Sequence, residues 1–169
     1  MSNKPLVERL KDVKAFFFDM DGIFTDGTVT VMPDGELIRT MYVRDGFALK
    51  TICSLGFKTA IISAGFSQGA IKRFEGFGVN HVVMSSGKKI DDFKSICEKE
   101  GLQPDDVLYM GDDVADLECL RIAGISVCPK DACVDVLPAV DYVTKENGGR
   151  GAVREIVEMV LRAQSKWNF

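Results

Sequence analysis

The chain contains a single histidine, and none of its five cysteines forms a Cys-x-x-Cys pair. Zinc clusters and dithiol redox centres therefore have no ligand set to stand on. An odd number of cysteines reads as buried free thiols rather than a disulfide frame, and His81, at the start of a strand, reads as structural. Long apolar runs are missing too: none approaches the length of a membrane span. Met1 to Lys14 hold no apolar core of the kind a secretory leader needs, so the expected location is the cytoplasm. The 21 lysines and arginines are scattered and the net charge is -4, which leaves no basic face for a nucleic-acid backbone. There is no internal repeat, low-complexity tract or linker. At 169 residues, 46% of them hydrophobic, the chain is long enough to bury a core of its own, and one domain over 1–169 is the expectation.

What is present is an alternation. Apolar runs of strand length stand at Lys14–Phe18, Lys58–Ile62, His81–Met84, Val107–Met110 and Ile125–Val127, with a weaker one at Tyr142–Val143. Their continuous apolar character suggests strands covered on both faces, as in a parallel sheet. Helix-period segments fall between them at about 46–55, 67–77, 89–100 and 114–123. The fold class read from this order is α/β, a doubly wound, mostly parallel, Rossmann-like sheet.

One segment, about 24–45, breaks the rhythm. Thr28–Met32 and Glu36–Val43 are rich in strand formers and flank Pro33-Asp34-Gly35, which reads as a hairpin turn. It is expected to form a flap beside the site, with a structural edge hairpin as the alternative. At the other end, about 147–169, Gly148-Gly149-Arg150-Gly151 reads as a flexible loop before a helix from about Gly151 to Ser165. Ala152, Val153, Ile156, Val157, Val160 and Leu161 share one face of that helix, and Trp167 and Phe169 are expected to be exposed in a short tail.

Four chemical signals each follow an apolar run: Asp19-Met20-Asp21-Gly22, Ser63, Lys89, and Gly111-Asp112-Asp113. In a doubly wound sheet, ligands bind outside the carboxyl ends of the strands, so the four converge. Residues two apart on an extended chain point the same way, and Asp19 and Asp21 can face one ligand. A phosphate ester repels an anionic nucleophile, so the site needs cations. Mg²⁺ takes oxygen ligands, and the candidates are the carboxylates of Asp19 and Asp112 with the backbone carbonyl of Asp21. Asp113 and Asp116 would orient metal-bound water or the ligands themselves. Lys89 would bridge the nucleophile and a phosphoryl oxygen, while the Ser63 hydroxyl donates to another. Asp19 would attack phosphorus as Asp21 protonates the leaving alkoxide; Asp21 would then activate water to hydrolyse the aspartyl phosphate.

The ordered set Asp-x-Asp-Gly, Ser, Lys, Gly-Asp-Asp resembles the haloacid dehalogenase superfamily of phosphatases over nearly the whole chain. Thr25-Asp26-Gly27, Val43-Arg44-Asp45-Gly46 and Gly148-Gly149-Arg150-Gly151-Ala152-Val153-Arg154-Glu155 are similar to the 3-deoxy-D-manno-octulosonate 8-phosphate phosphatases within it. The resemblance implies a Mg²⁺-dependent enzyme acting on a phosphorylated keto sugar acid in lipopolysaccharide synthesis. It also implies a homotetramer in which hairpins assemble and neighbouring subunits complete each site. The short intervals between the signals leave no room for a cap domain. Thr25, Asp26, Gly27, Arg44, Ser63, Ala64, Lys89 and Arg150 are the substrate contacts that the resemblance implies; a solvated Arg150 is the plainer alternative. One departure stands out. Ser63-Ala64-Gly65-Phe66 replaces the family's Thr-Gly-Arg or Thr-Gly-Gly-Arg, so Phe66 stands for a cation, with Arg73 and Lys72 as candidates to compensate. Competing readings are a nonulosonate 9-phosphate as substrate, a receiver domain, or a noncatalytic interaction subunit.

Overall fold

Phe16-Phe17-Phe18 with Ala15 form β1 (Ala15–Phe18), and all four side chains are buried. The reason is the strand's place. It pairs in parallel with β4 (Lys58–Ile62) on one side and β6 (Val107–Met110) on the other. The computed structural model describes residues 4–169, so Met1–Asn3, the start of the segment read for a secretory leader, lie outside the described residues. β5 (His81–Val83), β7 (Ile125–Cys128) and β8 (Tyr142–Val143) complete a six-stranded sheet in the order β5-β4-β1-β6-β7-β8, parallel throughout. β2 (Thr30–Val31) and β3 (Leu37–Ile38) make the separate hairpin.

Side chains alternate across the sheet and meet helices on both faces. Phe16, Phe18, Ile61, Leu108 and Met110 pack under α2 (Val43–Ser54), α3 (Gln68–Phe77) and α6 (Ala152–Ala163). Ala15, Phe17, Ala60, Ile62, Val107 and Tyr109 meet α4 (Lys89–Glu100) and α5 (Leu117–Ile122). The six apolar positions expected on one face of α6 are all fully buried. At roughly 1.5–3 kcal/mol for each large aliphatic side chain removed from water, that face anchors the C-terminal segment. α1 (Leu6–Arg9), a short turn that the pattern did not signal, is tied to the sheet by Arg9, which pairs with Asp141 at 2.7 Å. No helix among the described residues is long and apolar enough to cross a membrane.

The hairpin is shorter than expected. Only Thr30↔Ile38 and Val31↔Leu37 pair, the turn closes with Gly35 N–H on Met32 O at 2.9 Å, and Val43 already begins α2. A two-stranded ribbon is marginal alone, and the chain from Arg39 onward turns back toward the sheet, so the ladder stops. The tail also differs. Trp167 is half-buried, with the Arg154 guanidinium 4.4 Å above its ring, and Phe169 packs edge-on against Phe47 at 5.4 Å while staying largely exposed. His81 binds Glu100 at 2.7 Å. The cysteines are free, and burial pushes the Cys119 and Cys128 thiols up to about 12.

Candidate active site

Register brings the site together. Phe18 stands level with Ile61 and Met110, so Asp19, Ser63 and Gly111-Asp112 leave neighbouring strands at nearly one height. Lys89, the first residue of α4, reaches in from the side and is buried. Its ammonium lies 3.0 Å from Asp19 Oδ1 and 2.8 Å from Asp116 Oδ1. Burial alone would pull the lysine pKa down, but Asp19 and Asp116 carry it above its ordinary value, so the cation is kept. Ser63 is also buried; its Oγ accepts from Gly65 N–H at 3.2 Å.

Asp116 organises this cluster. Its Oδ1 accepts from Lys89 and from the Tyr109 hydroxyl at 2.6 Å, and its Oδ2 accepts from the N–H groups of Asp112 and Asp113 at 3.2 and 3.3 Å. Carboxylate oxygens of Asp19, Asp112 and Asp116 lie within 4.8 Å of one another. Because protein donors already occupy both oxygens of Asp116, Asp19 and Asp112 are the carboxylates with capacity to spare for an ion. Two further observations fit a small divalent cation here. Asp112 Oδ1 is buried without a hydrogen-bond partner, and a buried acceptor left unpaired is costly. At Gly22, φ is +77° and a Cβ would stand 2.0 Å from Asp112 Oδ2, so only glycine admits that carboxylate.

Burial, then Asp116, push Asp19 up to about 7 against the pull of Lys89. Burial and Asp116 likewise raise Asp112 to about 7. Asp45 is held at about 6, mainly by burial. All three exceed the ordinary value of 3.8, so the metal-free fold favours the protonated acids. Their stabilising contribution is full below about pH 4 and is lost as pH rises through about 6 to 7. In EDTA the thermal midpoint is therefore expected to be several degrees higher at about pH 6 than at about pH 8, with about 2–4 °C for each kcal/mol. Saturating Mg²⁺ should reverse that order by holding Asp19 and Asp112 ionised. Thermal melts across pH with and without Mg²⁺ check this; a midpoint in EDTA that rises with pH contradicts it.

Other expected site residues take different places. Thr25 is fully buried; its hydroxyl accepts from the N–H groups of Gly22 and Gly27 at 3.2 Å and donates to Asp21 Oδ1 at 3.4 Å, so it holds the loop and Asp21 rather than lying open to substrate. Asp113 is exposed and caps the following turn through Val114 N–H at 2.7 Å. Asp26, Gly27 and Ala64 stand exposed, and Arg150 pairs with Asp26 at 3.0 Å. Arg44 and Arg150 line a groove of about 480 Å³ with Tyr42, Lys145 and Arg154, which none of Asp19, Asp21, Ser63 and Lys89 lines. A larger groove, about 790 Å³, lies at the amino ends of the strands around Arg9, Asp105 and Asp141 and holds none of these groups. Phe66 is exposed, Lys72 is exposed, and Arg73 lies 5.0 Å over the Phe77 ring, so neither cation of α3 compensates inside the site.

Three contributors were missed by sequence reasoning. Arg39 forks onto Asp21, with Nε to Oδ1 at 2.7 Å and Nη2 to Oδ2 at 3.0 Å. Tyr109 carried a signal, because a tyrosine inside a buried strand requires a partner for its hydroxyl. Asp45, fully buried, accepts from Gly151 N–H at 3.1 Å and Arg154 N–H at 2.8 Å and so caps α6 from another element. The glycine segment before α6 is docked rather than flexible: a Cβ on Gly148 would lie 1.8 Å from Gly22 O, and Gly149 N–H donates to Ile23 O at 2.9 Å.

Comparison with known proteins gives one consistent picture. The family model for haloacid dehalogenase-like hydrolases matches residues 50–156. The 3-deoxy-D-manno-octulosonate 8-phosphate phosphatase of Escherichia coli strain K12 is 31% identical over 161 residues, covering 95% of this chain and 86% of that protein. The crystal structure of the same enzyme from Yersinia pestis superimposes with a TM-score of 0.92 at 30% identity, covering 95% of this chain and 87% of that one. The enzyme of Moraxella catarrhalis, solved in complex with magnesium, phosphate and KDO, matches with a TM-score of 0.92 at 31% identity over 95% of this chain and 92% of that one.

Proposed function

Because the chain belongs to the haloacid dehalogenase-like hydrolases, within the family of 3-deoxy-D-manno-octulosonate 8-phosphate phosphatases, we propose that it hydrolyses that sugar phosphate to the free keto acid and phosphate. It is a phosphoric monoester hydrolase, and its metal is Mg²⁺. The observation that carries the reading is the buried Lys89 held between Asp19 and Asp116, beside Asp112, at the carboxyl end of β1.

The roles follow from that arrangement. Lys89, pinned by Asp116, keeps Asp19 fixed and leaves a positive charge where the phosphoryl oxygens arrive. Asp19 attacks phosphorus; an Asp19 O–P bond forms as the bond from phosphorus to the sugar oxygen breaks, and Asp21 gives that oxygen its proton. Asp21 then takes a proton from water as the water oxygen attacks phosphorus and frees Asp19. Asp19, Asp112 and the Asp21 carbonyl would hold Mg²⁺, which neutralises phosphoryl charge when bound. The Ser63 hydroxyl would donate to a phosphoryl oxygen.

Between β1 and β4 lie only the hairpin and α2, and no cap covers the site among the described residues. A second copy of the chain is the cover we propose, in a homotetramer. Val29, Val31, Met32, Leu37 and Ile38 are all exposed on or beside the hairpin, which favours burial against another hairpin. Arg150, exposed on the rim, would then reach a neighbouring site. Sedimentation equilibrium tests this, and a species of 18.6 kDa would end it. A sugar phosphate that carries a carboxylate as well as its phosphate does not cross a bilayer unaided, which favours the cytoplasm as the place of reaction.

The deciding experiment is Mg²⁺-dependent phosphate release from 3-deoxy-D-manno-octulosonate 8-phosphate, nonulosonate 9-phosphates and simple sugar phosphates. The eight-carbon ester is expected to have the highest kcat/KM. A higher value for a nonulosonate ester would transfer the assignment to the nine-carbon substrate.

A further inference from the structure

Arg39 leaves the hairpin and ends inside the site, its side chain only 5% exposed. Both oxygens of Asp21 are taken by its guanidinium, a two-point geometry that is the strong one for this pair. The remaining nitrogen, Nη1, faces outward to the carbonyls of Leu37 at 3.1 Å and Phe66 at 3.4 Å, on the rim. The facing loop makes room for it: a Cβ on Gly65 would lie 3.1 Å from both Arg39 Nη2 and Asp21 Oδ2. A larger residue 65 and this guanidinium would crowd each other. Thus the carboxylate that must serve the leaving oxygen is engaged at both of its oxygens, by a cation whose third nitrogen is held only by two backbone carbonyls of exposed residues.

We propose that Arg39 is the substrate-selecting cation of this site and that its fork on Asp21 is a latch opened by an acidic substrate. A sugar acid phosphate brings a carboxylate besides the phosphate. That carboxylate takes Nη1 and draws the guanidinium outward, and Asp21, part-exposed and freed of the fork, takes a proton from water and is then able to give it to the leaving oxygen. In the exchange itself, one carboxylate replaces another on the same cation. A neutral sugar phosphate offers no such replacement, so Asp21 stays engaged and turnover is slow. The inference rests on the phosphatase assignment and deepens it by naming the recognised group, the carboxylate of the leaving group.

The test compares the full chain with Arg39→Ala and Arg39→Lys. It measures kcat/KM for 3-deoxy-D-manno-octulosonate 8-phosphate and for glucose 6-phosphate. Free 3-deoxy-D-manno-octulosonate and inorganic phosphate are tested as inhibitors of p-nitrophenyl phosphate hydrolysis. In Arg39→Ala the acid-to-neutral ratio of kcat/KM should fall about tenfold to a hundredfold. The Ki of the keto acid should rise by a similar factor relative to that of phosphate. Arg39→Lys should recover part of both, since it keeps the charge and loses the fork. Equal losses on both esters, or a phosphate Ki that rises with that of the keto acid, would make Arg39 a phosphoryl or structural group and overturn the proposal. A wild-type enzyme without preference for acidic esters overturns it too. If the wild type prefers a different acidic sugar phosphate, the named substrate is wrong, and the variant's ratio on that ester still decides for or against Arg39.

Discussion

Asp19→Asn is expected to lower kcat on the sugar phosphate by about 10⁴-fold or more while the fold is retained. The amide preserves shape and still accepts from Lys89, which sits 3.0 Å from Oδ1 in the parent, but it cannot form the bond to phosphorus. Stability should not suffer, because burial already pushes the Asp19 carboxyl up to about 7 and the amide removes a desolvated charge from the metal-free site. Turnover with Mg²⁺ and a thermal melt in EDTA give the two readouts. Activity within tenfold of wild type in a folded variant would remove Asp19 as nucleophile.

Lys89→Met is expected to damage both activity and stability. It leaves Asp19 and Asp116, both buried, facing each other without the ammonium that bonds to each. Removing one partner of a buried ion pair costs about 3–5 kcal/mol, because the remaining charge has no compensation. Loss of a positioned cation aimed at the transferring group lowers kcat by about 10²–10³. The pH dependence separates this from simple loss of packing. Lys89 is the partner that pulls the Asp19 pKa down, so its removal moves that carboxyl further above 7. A folded-state pKa above the unfolded one gives stability that is present at low pH and lost as pH rises through the folded value. The variant in EDTA should therefore approach the parent's melting temperature near pH 5 and fall furthest behind at about pH 8. A deficit that is the same at every pH would mean that packing, not charge, is what Lys89 supplies.

These two residues also mark how far the pattern of the chain reaches. Asp19, Ser63, Lys89 and Asp112 each follow a strand or open a helix whose apolar run is plain in the sequence, and the strands at Lys58–Ile62 and Val107–Met110 lie where the runs place them. A parallel sheet with helices on both faces converts order along the chain into position at one edge, so local signals suffice. Tyr109 was half legible, as an apolar strand residue that needs a partner for its hydroxyl. Thr25 reads in the sequence as a substrate contact, and only the fold shows its hydroxyl turned inward, accepting from Gly22 and Gly27 and donating to Asp21.

The sequence by itself determined the sheet, the helix faces and the carboxylates at the strand ends, since burial on two faces and helical periodicity are written in neighbouring residues. Only the tertiary structure decided what those carboxylates touch. Asp116 spends both oxygens on Lys89, Tyr109 and two backbone N–H groups, Asp21 is forked by Arg39 from 18 residues away, and Asp45 caps a helix 106 residues later. Such pairings depend on distance and direction in the folded chain. A charged side chain in the sequence carries no record of which buried opposite charge it will meet, or of the desolvation that makes the meeting matter.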